Sequence, residues 1–397
     1  MSVHVQGDVD DGWGAVADAF RANFESGEEV GAACAVYVGD RKVVDVWGGL
    51  RDPKRGLPWE EDTLVTVFST TKGMSSLAVA LAHSRGLFEY DDLVVEHWPE
   101  FGQAGKDHIT IRQLLSHQAG LPAIDEPLDL DALADPEAVA AAIAAQEPAW
   151  EPGVRHGYHG LSLGFYESEL IRRVDPKSRT LGQYFNDEVA LPLDVEFYIG
   201  VPAQVDRRRI AQIQADWYRL RMLFNLAKLP RAFVAGFLNP RSITARTYAN
   251  PKVLGKPARY NDEAMRRIEL PAANGTGEVR AIAKAYGEFA CGGSVLDLDD
   301  RTLASLRRAA PDPTEGLYDV VQRESTRFSL GFCKPWPSFD FGSDQAFGTP
   351  GAGGSLGFAD PETGLGFGYA MNRLDYYPTE DPRQVRLREA AHRCAAA

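Results

Sequence analysis

Positive charge is what this chain has least of. Its 42 lysines and arginines face 56 aspartates and glutamates, a formal net charge of −14. A nucleic acid or an anionic membrane needs a basic surface, so neither is an expected partner. Cysteine is also scarce. Cys34, Cys291, Cys333 and Cys394 lie far apart with no C-x-x-C pair, which excludes a disulfide framework and a cysteine-based metal site. They read as reduced thiols, buried filler in a cytoplasmic protein. Long apolar runs are missing too: nothing approaches the roughly 18 residues of a membrane helix. The polar stretch Met1 to Gly14, with Asp8, Asp10 and Asp11, lacks the basic-then-apolar order of a secretory signal. There is no internal repeat and no low-complexity linker.

What is present suits a large soluble core. The 397 residues are 44% hydrophobic and 25% charged, enough to fold without metal or disulfide staples. Residues 12–26 have helical spacing. Two strand-like runs follow, 31–38 and 42–47, joined by the hairpin signal Gly39-Asp40-Arg41. Leu64 to Phe68 is a third apolar run, leading into a helical pattern from Thr70 to Ser84 that stops at Gly86. Helices are expected at 109–117, 132–146 and 161–174, and strands at 327–333, 353–358 and 366–371. A closing helix is expected over 382–394. Residues 205–271 read as helices and loops forming part of a substrate-binding wall. Strands at both ends around a helical middle predict an α/β (α+β) fold with one antiparallel sheet built from both termini.

Four segments could carry chemistry. Ser69-Thr70-Thr71-Lys72 is the chain's one S-x-x-K. A serine needs a nearby base to become nucleophilic, and a three-residue spacing on a helix puts both side chains on one face. Burial would raise the neutral fraction of Lys72. The competing account is a helix-capping serine with an unrelated lysine. Gly160-Leu161-Ser162-Leu163-Gly164 matches the G-x-S-x-G elbow, but a Pro-Gly-rich loop precedes it where an elbow needs a strand. The only later histidine is His392, so Ser162 reads better as a helix-start serine. Tyr158 could exchange protons if a cation lowered its pKa, or could simply pack. Its neighbours His156 and His159 form an H-x-x-H with no third ligand in view, favouring loop hydrogen bonds over a metal. Thr349-Pro350-Gly351-Ala352-Gly353-Gly354 is either a tight turn or a stretch of free N–H groups facing an oxyanion.

Together, VFSTTKGMSS, ITIRQLLSHQAGLP, EPGVRHGYHGLSLG and GAGGSLGFADPETGLGFGYAMNR resemble the class C β-lactamase and D,D-peptidase superfamily, and most of all the family VIII carboxylesterases. The stretches span almost the whole chain in the expected order. The resemblance implies a β-lactamase/transpeptidase-like fold, an antiparallel sheet flanked by helices beside an all-helical subdomain. The corresponding division is one domain, 1–397, with 1–68 and 272–397 in the sheet part and 69–271 in the helical part. It also implies an acyl-enzyme without metal or cofactor. Ser69 matches the nucleophile, Lys72 the S-x-x-K lysine, and Tyr158 the tyrosine of the Y-x-N box. Ser69 and Ala352 would supply the oxyanion N–H groups, on a strand that also carries Gly351. Two departures stand out. Gly160 replaces the box's asparagine, and Thr349 replaces the lysine or histidine of the K/H-T-G box, where Thr349 and Gly351 would contact substrate. The expected activity is hydrolysis of neutral carboxylic esters with small or medium acyl groups. A β-lactamase or D-aminopeptidase, an acyltransferase, and a non-catalytic binding protein on the same scaffold are the alternatives.

Overall fold

The computed structural model describes residues 4–215 and 230–397. Part of the 205–271 wall, residues 216–229, lies outside the described residues. The central sheet has seven strands: β1 (Val5–Val9), β2 (Gly31–Val38), β3 (Arg41–Asp52), β4 (Leu57–Pro58), β5 (Phe347–Pro350), β6 (Leu356–Asp360) and β7 (Leu365–Met371). Their order is β1-β3-β2-β7-β6-β5, with β4 pairing the far end of β3, and every pairing is antiparallel. Both chain ends therefore meet at the β2–β7 seam, where Gly31–Val38 lies against residues 365–371.

The helices α1 (Gly14–Glu25), α2 (Thr70–Ser84), α3 (Ser162–Val174), α4 (Val279–Ala290) and α5 (Pro382–Ala395) pack on the sheet or against one another. α4 covers β2, β6 and β7, while α1 and α5 pack together on the opposite face. Covered on both sides, β2 reads as a continuous small-residue run, GAACAVYV, and not as an alternating one. Gly366 lets α4 come close: a Cβ there would sit 2.3 Å from the Ala283 carbonyl oxygen.

Most expected elements are found, with shifted ends. The 132–146 pattern is two helices, Leu130–Leu133 and Pro136–Ala145, because Pro136 suits a first helical turn but not a helix interior. The strand expected at 327–333 is a reversal. Ser329 N–H donates to the Phe332 carbonyl, Gly331 has φ +87°, and only an isolated bridge joins Phe328 to Cys333. Gly353 to Ser355 are turn, so the strand expected from Gly353 starts at Leu356. The first strand, Val5–Val9, falls in the segment read as a polar tail. It is a sheet edge whose central residues face solvent, so it carries no hydrophobic signal.

Candidate active site

The site is assembled where α2 begins. Val65–Thr66 pairs with Thr276–Gly277, and the chain then turns at Phe68, whose φ of 48° is left-handed. Such a backbone at a non-glycine residue costs about 1–3 kcal/mol and persists only where its surroundings impose it. The Phe68 ring packs 4.9 Å from the Tyr260 ring, and Ser355 Oγ donates to the Val67 carbonyl at 2.8 Å. Ser69 follows at the N-cap position, but its hydroxyl makes no cap bond. It meets Lys72 Nζ at 2.9 Å instead. The capping account of Ser69 does not describe its side chain.

Lys72 is 1% exposed, and Nζ also donates to the Ala272 carbonyl at 3.0 Å. Burial drives its pKa down to about 7, opposed by Cys333 and Glu167 nearby. A substantial share of the amine is thus neutral near physiological pH and able to accept a proton. Tyr158 faces both partners. Lys72 Nζ lies 5.2 Å from its ring centroid, and its phenol interacts with the Ser69 side chain. Burial raises Tyr158 well above the ordinary tyrosine range. This corrects the expectation of a cation-lowered pKa: the resting Tyr158 is a neutral phenol that still holds its proton.

The tyrosine is held by its backbone. Buried Asp319 accepts N–H bonds from Tyr158 at 2.9 Å, Val321 at 2.8 Å and Gln322 at 2.7 Å. Burial lifts Asp319 to about 6 against these bonds. The next residue, His159, accepts the Leu121 N–H at Nε2, donates from Nδ1 to Gly157, and gives its own N–H to His117. Its ring nitrogens are both engaged, and no cluster of three His, Cys, Asp or Glu among the described residues could hold a metal ion. Ser162 is equally committed, donating to the Leu121 carbonyl at 2.7 Å. His392 bonds the Phe341 carbonyl instead.

The glycine-rich segment closes the other side. β5 ends at Pro350, so Gly351 and Ala352 lie in the turn after the strand and not on it. Gly351 N–H is already bonded to the Ser355 carbonyl at 2.8 Å. Its role is close approach: a Cβ would lie 2.4 Å from the Val67 carbonyl oxygen and 2.8 Å from Thr70 Oγ1. Thr70 and Ser355 then tie turn to helix through a 3.0 Å hydroxyl pair. The N–H groups of Ser69 and Ala352 meet no acceptor among the described residues. Thr349 is 2% exposed, and its hydroxyl lies beside the Tyr286 phenol under Gly73.

Cys333 and Glu167 escaped the sequence. Cys333 is a buried free thiol near Lys72 and Tyr158, pushed up to about 12 by burial and so held protonated. No local pattern marks either residue.

A family model described as Beta-lactamase matches residues 16–392. The chain belongs to the beta-lactamase family. Within that family it is 32% identical to the esterase/beta-lactamase LipL of Mycobacterium tuberculosis over 93% of this chain and 83% of the relative. It superposes on the crystal structure of a family VIII carboxylesterase with a TM-score of 0.86 and 37% identity, covering 98% of this chain and all of the other. EstA from Arthrobacter nitroguajacolicus Rue61a gives 0.84 and 30% identity, covering 99% of each chain. The fold is mixed, with an antiparallel sheet and many helices. No described helix is long and apolar enough to cross a membrane.

Proposed function

We propose that this member of the family is a serine carboxylesterase in which Ser69 is the nucleophile, Lys72 its base and Tyr158 the proton donor. The observation that carries the reading is the 2.9 Å contact between Ser69 Oγ and a buried amine whose pKa is near neutral. The Ser69 proton moves to Lys72 as Oγ bonds the ester carbonyl carbon. The N–H groups of Ser69 and Ala352 receive the developing oxyanion, each donor lowering the barrier by about 3–4 kcal/mol. Tyr158 gives its proton to the departing alkoxide, and the Lys72 ammonium restores the phenol. An acyl group then remains on Ser69. Water attacks by the same proton path in reverse.

Thr349 supports neutral esters as the substrate class. The superfamily's lysine or histidine at this box would offer charge to a substrate carboxylate, whereas the buried threonine offers none. The free state of all four cysteines fits a cytoplasmic setting. A panel of p-nitrophenyl esters and nitrocefin on wild type and Ser69→Ala tests the reading, together with labelling by a fluorophosphonate. Ester turnover and labelling should both vanish in Ser69→Ala. Labelling that persists at another serine would overturn the assignment.

A further inference from the structure

Behind Lys72 the interior holds a carboxyl group that the proposed mechanism does not use. Glu167, on α3, is completely buried. Oε1 accepts the Ser76 hydroxyl at 2.7 Å, while Oε2 is buried with no hydrogen-bond partner. Ser76 stands one helical turn beyond Lys72, on the same face of α2. The third wall is the reversal at Gly331, whose carbonyl lies 3.2 Å from Ser76 Oγ. A Cβ at Gly331 would come within 2.1 Å of Ser76 Oγ and 3.0 Å of Glu167 Oε1, so backbone seals the carboxyl in. A buried carboxyl with an orphan oxygen and no cation bonded to it is costly, and methionine or glutamine would fill the same space.

We propose that Glu167 is a positioning residue that sets the proton affinity of Lys72 through its charge, resting on the assignment of Lys72 as base. As the neutral acid, Glu167 leaves the amine free to take the Ser69 proton. As a carboxylate, it holds the proton on Lys72 and withdraws the base. Among the described residues Glu167 is the carboxyl that bears on Lys72, whereas Asp319, lifted by burial to about 6, spends its oxygens on the N–H groups of Tyr158, Val321 and Gln322. From the Tyr158 loop and the turn before it, burial keeps His117, His156 and His159 neutral by lowering their pKa values. Tyr158, Tyr286 on α4 and the Cys333 thiol are raised by burial and stay protonated. Glu167 itself is lifted by burial to about 8, with Ser76 and Lys72 opposing. The two groups titrate as a pair, so the wild-type acid limb is broadened over two ionisations.

The test is the pH profile of kcat/KM for a neutral ester, followed by titration of the released acid. Glu167→Gln keeps the shape and removes the charge. Its acid limb should move at least half a pH unit lower, about a threefold gain in neutral amine on that limb, and become a single ionisation. Ser76→Ala removes the bond that favours the carboxylate, so its limb should move the same way by less; it decides the matter if Glu167→Gln does not fold. A uniform fall in rate with unmoved limbs, or wild-type profiles in both, overturns the proposal. Ser69→Ala, run alongside, separates the two failures. Activity surviving there overturns the nucleophile assignment and this inference with it; activity lost there with unmoved limbs overturns the role of Glu167 alone.

Discussion

Lys72 and Lys334 occupy the same chemical state in two different places. Both are almost fully buried, and burial pushes both down to about 7. Lys106 is a third buried amine, lowered to about 8. A depressed pKa therefore does not by itself single out a catalytic base among these lysines. The difference lies in what each Nζ touches. Lys106 donates to three carbonyls, those of Gln103, Ala144 and Gln146, and Lys334 donates to that of Arg307. A carbonyl has no proton to give. Lys72 alone among the three meets a hydroxyl, that of Ser69. On the proposed reading, desolvation prepares the amine and the neighbouring O–H supplies the proton it takes.

The largest effect should come from removing that pairing. Lys72→Met should lower kcat for a neutral ester by about 10³-fold or more, within the range for lost general base help at a nucleophile. Circular dichroism should show the fold retained. Tyr158→Phe should cost about 100-fold in kcat with little change in KM, because the phenol acts on the leaving group and not on the bound ground state. Turnover near that of wild type in Tyr158→Phe would remove the phenol from the reaction. Thr349 sets a smaller difference, read between substrates. A charge-assisted hydrogen bond contributes about 1.5–3 kcal/mol, so carboxylate-bearing substrates should lose roughly 10- to 150-fold relative to neutral esters. A higher kcat/KM for nitrocefin than for the neutral ester would reverse that reading.

The contrast also explains what the sequence could show. The Ser69–Lys72 contact spans three residues of one helix, so spacing alone suggests it. Tyr158 came from family likeness, since its own setting is a loop fixed by Asp319, 161 residues away. Glu167 and Cys333 reach the site from α3 and a distant reversal, and such contacts leave no periodic trace. The fold followed the same rule. The hairpin of β2 and β3 was legible from Gly39-Asp40 and flanking apolar runs. The edge strand β1, mostly solvent-facing, was not.

The smallest catalytic effect and a separate stability effect should come from Lys334→Met. Nζ of Lys334 touches no group of the proposed reaction, so kcat should change by less than about twofold, the scale of a substitution away from the special features of a protein. Stability should respond through protons. Folded Lys334 titrates at about 7 and the unfolded side chain at about 10.4. Between those values the unfolded chain binds more protons, so stability rises with pH at up to about 1.4 kcal/mol per unit from this lysine. Below pH 7 both states are protonated, and the burial penalty is present in full. Methionine has no such proton, so the variant's stability should climb less steeply between pH 7 and 10. It leaves the Arg307 carbonyl without its donor, a cost of about 1–3 kcal/mol that does not depend on pH. Urea unfolding at pH 7, 8.5 and 10 separates the two terms. An unchanged slope would mean that Lys334 stays charged in the folded protein, and the likeness to Lys72 would end there.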